Sequence, residues 1–138
     1  MRIMAIDYGD AHNGIAISDP TGFLAGFTTV INAYRPEAVA EQISALAKEH
    51  GVEELVLGHP INMDGTRGPR SEKAQAMKTL LEETTSLPVV LWDERRTTID
   101  AHQILMNSGK NAKKRKKVVD AVAATLILEG YLTYKKTH

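Results

Sequence analysis

Two short apolar runs in this chain each stop at a carboxylate, and that narrows the folds open to it. Ile3-Met4-Ala5-Ile6 ends at Asp7, followed by Tyr8-Gly9, and Val89-Val90-Leu91-Trp92 ends at Asp93-Glu94. Apolar runs this short, bounded by turn residues, read as buried strands. A third acid, Asp120, opens the apolar stretch from Val118 to Leu128 and reads as the start of a helix. Two strand ends and a helix start can meet in space while lying far apart in sequence. Carboxylates gathered that way repel one another unless a cation holds them. The economical reading is a carboxylate site for Mg²⁺ or Mn²⁺, whose chemistry is metal-assisted hydrolysis of a phosphodiester.

The rest of the chain supplies a frame for such a site. Arg2 to Asp7 reads as a strand, Gly9 to Asn13 as a turn, and Gly14 to Ser18 as a second strand, so the first two form a hairpin. After the turn Asp19-Pro20-Thr21-Gly22, Phe23 to Ile31 supplies a third strand. Pro36 suits the first turn of a helix carrying Val39, Ile43, Leu46 and Ala47, and Gly51 suits its end. Glu54 to Gly58 is a strand, His59 to Pro69 a loop, Ser71 to Thr84 a helix and Pro88 to Trp92 a strand. Thr97 or Thr98 caps a further helix that stops near Gly109. Lys110 to Lys117 is a polar basic run, and Val118 to about Lys135 is the last helix. The expected class is α/β, with a mixed five-stranded sheet: a three-strand meander joined to two parallel strands and flanked by helices.

Composition removes several function classes. At 138 residues the chain makes one domain, 1–138, with a sizeable core. It has no cysteine, which excludes disulfides, thiolate catalysis and cysteine-based zinc sites. No apolar run is long enough to cross a bilayer, and no signal-peptide pattern opens the chain, so a cytoplasmic location with no membrane partner is expected. Formal net charge is zero, so any attraction to nucleic acid must come from local patches.

The clearest patch is Lys110, Lys113, Lys114, Arg115, Lys116 and Lys117, a basic edge suited to a polyanion, though short charge runs commonly serve as solvated linkers. The loop after the fourth strand offers Asn62, Thr66, Arg67 and Arg70 as phosphate-holding groups ahead of a helix N-terminus; the bland alternative is a solvated loop. Arg95 and Arg96 follow Asp93-Glu94 and could contact a substrate backbone, or simply form a helix entry with its acids and threonine cap. Asp7-Tyr8-Gly9 with Gly14-Ile15-Ala16 could be an ordinary hairpin, or the phosphate-contacting turn of actin-like ATPases and sugar kinases; the latter need two such domains and a longer chain. Asp120 could be an N-terminal helix acid stabilised by the dipole and by Lys116 or Lys117. His12, His50, His59 and His102 lack metal-ligand spacing, and Trp92 reads as core.

Taken together, four stretches resemble the YqgF/RuvX family. They are Asp7-Tyr8-Gly9 to Asp19, Leu55-Val56-Leu57-Gly58 to Arg70, Asp93-Glu94-Arg95-Arg96-Thr97-Thr98, and Lys116 to Ala124, in family order over nearly the whole chain. The resemblance implies a ribonuclease H-like fold related to the resolvase RuvC. It implies a cytoplasmic bacterial nuclease for 5′-end processing of precursor 16S ribosomal RNA, with structured RNA the favoured partner. By matching position, Asp7, Glu94 and Asp120 become the catalytic, metal-binding triad, with Asp93 the fallback for Glu94. Asp7 and Asp120 would hold one Mg²⁺ and Asp7 with Glu94 a second. Arg67, Arg70, Arg95, Arg96 and the 113–117 run would position the backbone. One departure is His12, where the family's first motif usually has a basic residue. The rivals are a Holliday-junction resolvase on branched DNA, which requires a stable dimer, and a non-catalytic nucleic-acid or transcription-associated binding module. RNA trimming fits a monomer or weak homodimer.

Overall fold

A computed structural model describes residues 1–9, 12–19, 25–59, 69–93 and 112–137. Among these the elements run β1 (Arg2–Asp7), β2 (His12–Ser18), β3 (Ala25–Asn32), α1 (Pro36–His50), β4 (Val52–His59), α2 (Pro69–Thr85), β5 (Val89–Asp93) and α3 (Ala112–Thr137). The helix expected over 97–109 lies outside the described residues. The strands form one sheet in the order β3-β2-β1-β4-β5. β2 is antiparallel to β1 and β3, while β4 is parallel to β1 and β5 to β4. That is the expected meander joined to parallel units.

Period-two alternation splits the sheet residues between two apolar layers. Met4 and Ile6 of β1, Ile15 and Ile17 of β2, Leu55 and Leu57 of β4, and Val89 of β5 pack against Val39 and Ile43 of α1 and Met77 and Leu81 of α2. The alternate set, Ile3 and Ala5 of β1, Ala16 of β2 and Val56 of β4, packs against Ala124, Ile127, Leu128 and Tyr131 of α3. Both faces of the sheet are thus covered, which is why β1 and β4 read as continuous apolar runs.

The helix limits follow local chemistry. Pro36 occupies the first turn of α1, where its missing N–H costs nothing. Gly51 ends that helix at φ 67°, a left-handed conformation that favours glycine, and its N–H bonds the Ala47 carbonyl. Pro69 likewise opens α2. The expected boundary of the last helix is wrong by two turns: α3 begins at Ala112, so the basic run 113–117 is helical rather than a polar approach to it. Lysine and arginine are good helix formers, and no glycine or proline separates them from Val118. Asp120 is therefore the ninth residue of α3, beyond the first turn in which it was expected. No described helix is long and apolar enough to cross a membrane.

Candidate functional site

The parallel strands β1, β4 and β5 end at one edge of the sheet, with Asp7, His59 and Asp93 as their last residues. β2 begins and β3 ends at the same edge, where His12 pairs with Asn32. In open α/β sheets this carboxyl edge is where ligands bind. The first carboxylate singled out in the sequence stands in that position.

Asp7 continues the parity of Ile3 and Ala5, so it faces the α3 side of the sheet, and it is partly buried. Its antiparallel partner on β2 is Gly14. On β4, Gly58 follows Leu57, the partner of Ile6. Neither flanking strand therefore brings a side chain of its own beside the Asp7 carboxylate. A charged group at the end of a buried strand, bordered by glycines, leaves space for something that approaches the backbone closely.

The turn after Asp7 is held by a residue that the sequence reading passed over. Asn13 is fully buried. Gly9 N–H donates to Asn13 Oδ1 at 3.0 Å, and Asn13 Nδ2 donates to the Ile31 carbonyl at 3.2 Å. One side chain thus ties the end of β1, the start of β2 and the end of β3. The available signal was its parity with Ile15 and Ile17, which places it inward. Beside it, His12 Nδ1 hydrogen-bonds Asn32 Oδ1 at 2.7 Å, so the histidine that replaces a basic residue has one ring nitrogen committed to β3.

α3 lies over the opposite layer from α1 and α2, packed across β1, β2, β3 and β4. Its C-terminal half is anchored by Tyr131, whose hydroxyl donates to Glu54 Oε1 at 2.5 Å, with Lys135 Nζ 3.5 Å from the same oxygen. Burial, then the adjacent carboxylate, raises the Tyr131 pKa well above the ordinary phenol value. Trp92 stands edge-on to Tyr131 and Tyr134, each centroid 5.8 Å away, and serves as core as expected. Gly130 lets this indole approach: a Cβ there would lie 3.3 Å from Trp92 Cζ2.

The sheet-facing stripe of α3 runs Tyr131, Leu128, Ile127, Ala124. Four residues before Ala124, at one further turn, comes position 120. Ala124 is buried in one cluster with Ala5 and Ala16. Asp7 is two residues from Ala5, about 7 Å along the strand, and Asp120 is four from Ala124, about 6 Å along the helix. The fold therefore brings the positions of Asp7 and Asp120 to the same face. It also weakens the bland reading of Asp120, because the helix dipole acts within the first turn and Asp120 lies beyond it. Positions 117 and 113 come about one and two turns before 120 in the same helix.

Arg70 is the second residue of α2. Asn62, Thr66, Arg67, Glu94, Arg95 and Arg96 lie outside the described residues. On β5 the even positions Val90 and Trp92 pack on the α3 side, whereas Leu91 packs on the α1–α2 side. Among the described residues no group of three metal-ligating side chains forms. The donor set in question, three carboxylates without thiolate or patterned imidazole, suits a hard oxygen-seeking cation such as Mg²⁺.

Comparison with known proteins gives the family and the fold. A Halothermothrix orenii protein named as a candidate pre-16S rRNA nuclease is 45% identical over 135 residues, covering 98% of this chain and 96% of the relative. A Bacillus subtilis protein of the same name is 44% identical, covering 96% and 97%. Among solved structures, T. thermophilus RuvC in complex with a Holliday junction substrate superposes with a TM-score of 0.65 at 14% identity, over 99% of this chain and 96% of RuvC. That likeness shows the ribonuclease H-like fold. Residues 1–134 match the family described as RuvX, Holliday junction resolvase. A whole-chain match, with relatives near 45% identity at equal length, leaves one conclusion: the chain belongs to the RuvX family.

Proposed function

We propose that this chain is a divalent-metal-dependent nuclease that processes the 5′ end of precursor 16S ribosomal RNA, acting as a single domain in the cytoplasm. The observation that carries the reading is Asp7: a carboxylate at the carboxyl end of the central strand, bordered by Gly14 and Gly58, on the face that α3 covers. Names of full-length relatives support the substrate. Asp7, Glu94 and Asp120 would hold the metal. Glu94 is preferred to Asp93 because it is the position that matches the acid of the family's motif Asp93-Glu94-Arg95-Arg96. A bound Mg²⁺ or Mn²⁺ would supply a Lewis acid that acidifies water and offsets charge on the leaving oxygen.

The chain's own groups orient the substrate. Arg67, Arg70, Arg95 and Arg96 bind phosphates by bidentate contacts, and Asn62 and Thr66 add neutral donors. Lys113, Lys114, Arg115, Lys116 and Lys117, in the turns of α3 before Asp120, lead the backbone towards the acids. The family's description and the RuvC likeness favour a second reading, cleavage of a four-way DNA junction by a dimer. One experiment separates them. Purified protein is incubated with precursor 16S RNA and with a four-way junction, with and without Mn²⁺, beside Asp7→Asn. Cleavage of the RNA that needs Mn²⁺, and falls about a hundredfold or more in Asp7→Asn, is expected. Turnover of a folded Asp7→Asn protein at the parent rate refutes the carboxylate mechanism, and junction cleavage alone gives the substrate to the second reading.

A further inference from the structure

On the other side of the sheet, one residue beyond Asp7, a second feature opens. Tyr8 and Tyr34 line a groove of about 490 Å³ between the start of α1 and the side of α2, with Glu37, Lys73, Met77 and Leu80 among its walls. That volume lies within the range of small-molecule sites. Tyr8 packs partly against the core below, while Tyr34 is 82% exposed, the most open of the described large apolar side chains. Tyr34 lies two residues after the end of β3 and two before Pro36, so a short connection holds it near the carboxyl edge of the sheet.

The chemistry of the groove selects its occupant. Two phenol rings and an aliphatic floor suit a flat, π-rich body. Glu37 and Lys73 offset each other's charge in the walls, so the groove has no net attraction for a phosphate, while the Glu37 carboxylate accepts hydrogen bonds from the ring N–H or exocyclic amine of a base. Continuity with Asp7 supplies the source, because adjacent Cα atoms are about 3.8 Å apart and successive strand side chains point to opposite faces. Asp7 and the groove stand on opposite faces at the same carboxyl edge, so a strand whose phosphodiester sits at Asp7 can turn over that edge and lead a neighbouring base towards the groove. We propose that the groove takes one unstacked nucleobase of the nucleic-acid strand next to the cleaved phosphate, with Tyr34 as the stacking platform. This rests on the nuclease reading of Asp7. The base stacks on Tyr34 against the Met77 and Leu80 floor, and binding there favours substrates with an unpaired nucleotide beside the cleavage point.

The test measures binding in chelator, so that no cleavage intrudes. Labelled single-stranded RNA is titrated against the parent protein, Tyr34→Ala and Tyr34→Trp, and again with an abasic backbone of equal length. Stacking on one aromatic ring predicts about tenfold weaker binding of intact RNA by Tyr34→Ala, recovery in Tyr34→Trp, and quenching of the added indole when RNA binds. The abasic strand should bind parent and Tyr34→Ala alike. Equal affinity of parent and Tyr34→Ala for intact RNA overturns the proposal, as does an equal loss on the abasic strand. The two readings fail separately. Loss of cleavage in Asp7→Asn with no Tyr34 effect removes the groove alone; normal cleavage in Asp7→Asn with a base-dependent Tyr34 effect removes the carboxylate mechanism and leaves a base-binding groove.

Discussion

Asn13→Ala should uncouple the turn after Asp7 from the sheet. The side chain is fully buried and makes two hydrogen bonds, from Gly9 N–H at 3.0 Å and to the Ile31 carbonyl at 3.2 Å. A typical bond of this kind contributes about 1 kcal/mol, and a buried partner left unsatisfied raises the cost. The Ile31 carbonyl stays within the sheet, whereas Gly9 N–H is only partly buried and regains water. The sum is about 2–3 kcal/mol, which for a domain of this size lowers Tm by on the order of 10 °C. Urea unfolding with linear extrapolation measures the loss directly. A protein of ordinary stability remains folded at 25 °C after such a change, so cleavage per folded molecule can be compared there. It should fall by about tenfold, because Asp7 is the last residue of β1 and its outgoing chain is no longer fixed. A stability change below about 0.5 kcal/mol refutes the structural argument. Parent-level cleavage after the full stability loss refutes the link between this turn and the site.

Other perturbations follow from α3. Replacing Lys113, Lys114 and Arg115 by alanine should weaken RNA binding and flatten its salt dependence by roughly 0.7 log-log units per contact for a single strand; titrations from low to moderate salt measure both, and unchanged slope and affinity would leave the run without a role in binding. Tyr131→Phe removes the hydrogen bond to Glu54 and should cost about 1 kcal/mol at neutral pH by urea unfolding. Its pH dependence has a definite sign. The folded-state pKa of Tyr131 is raised, so its contribution is complete below about pH 10, the unfolded value, and is lost as pH rises beyond that. The gap between parent and Tyr131→Phe should therefore narrow above pH 10, and a constant gap would contradict the assignment.

Much of this frame was legible in the sequence because the local signals agreed with the global fold. The run Ile3 to Ile6 had nowhere to go but a buried strand, and Pro36 and Gly51 bracketed α1 by backbone chemistry alone. Asp7 stood out because a charge at the end of such a run needs a reason. What escaped notice depended on long-range partners. Tyr131 and Glu54 lie 77 residues apart, and neither carries a local sign of the other. Asn13 read as a turn residue because asparagine ordinarily is one; only its alternation with Ile15 and Ile17 argued for an inward position. The basic run read as a polar segment before the last helix; within a helix its like charges repel. That cost is a few tenths of a kcal/mol per pair, small beside the packing of Ala124, Ile127, Leu128 and Tyr131, so the helix extends through it. The added turns put Asp120 beyond the first turn of the helix, where the dipole no longer accounts for an acid.

The central claim is that Asp7, Glu94 and Asp120 share a divalent cation. Crystals of the protein grown with Mn²⁺ and measured for anomalous scattering test it most directly. The account predicts an anomalous peak about 2.0–2.2 Å from an Asp7 carboxylate oxygen, with Glu94 and Asp120 as its other protein ligands, and loss of that peak in Asp7→Asn. A peak held by other residues, or none at Asp7 with the site open to solvent and Mn²⁺ in excess, would contradict it.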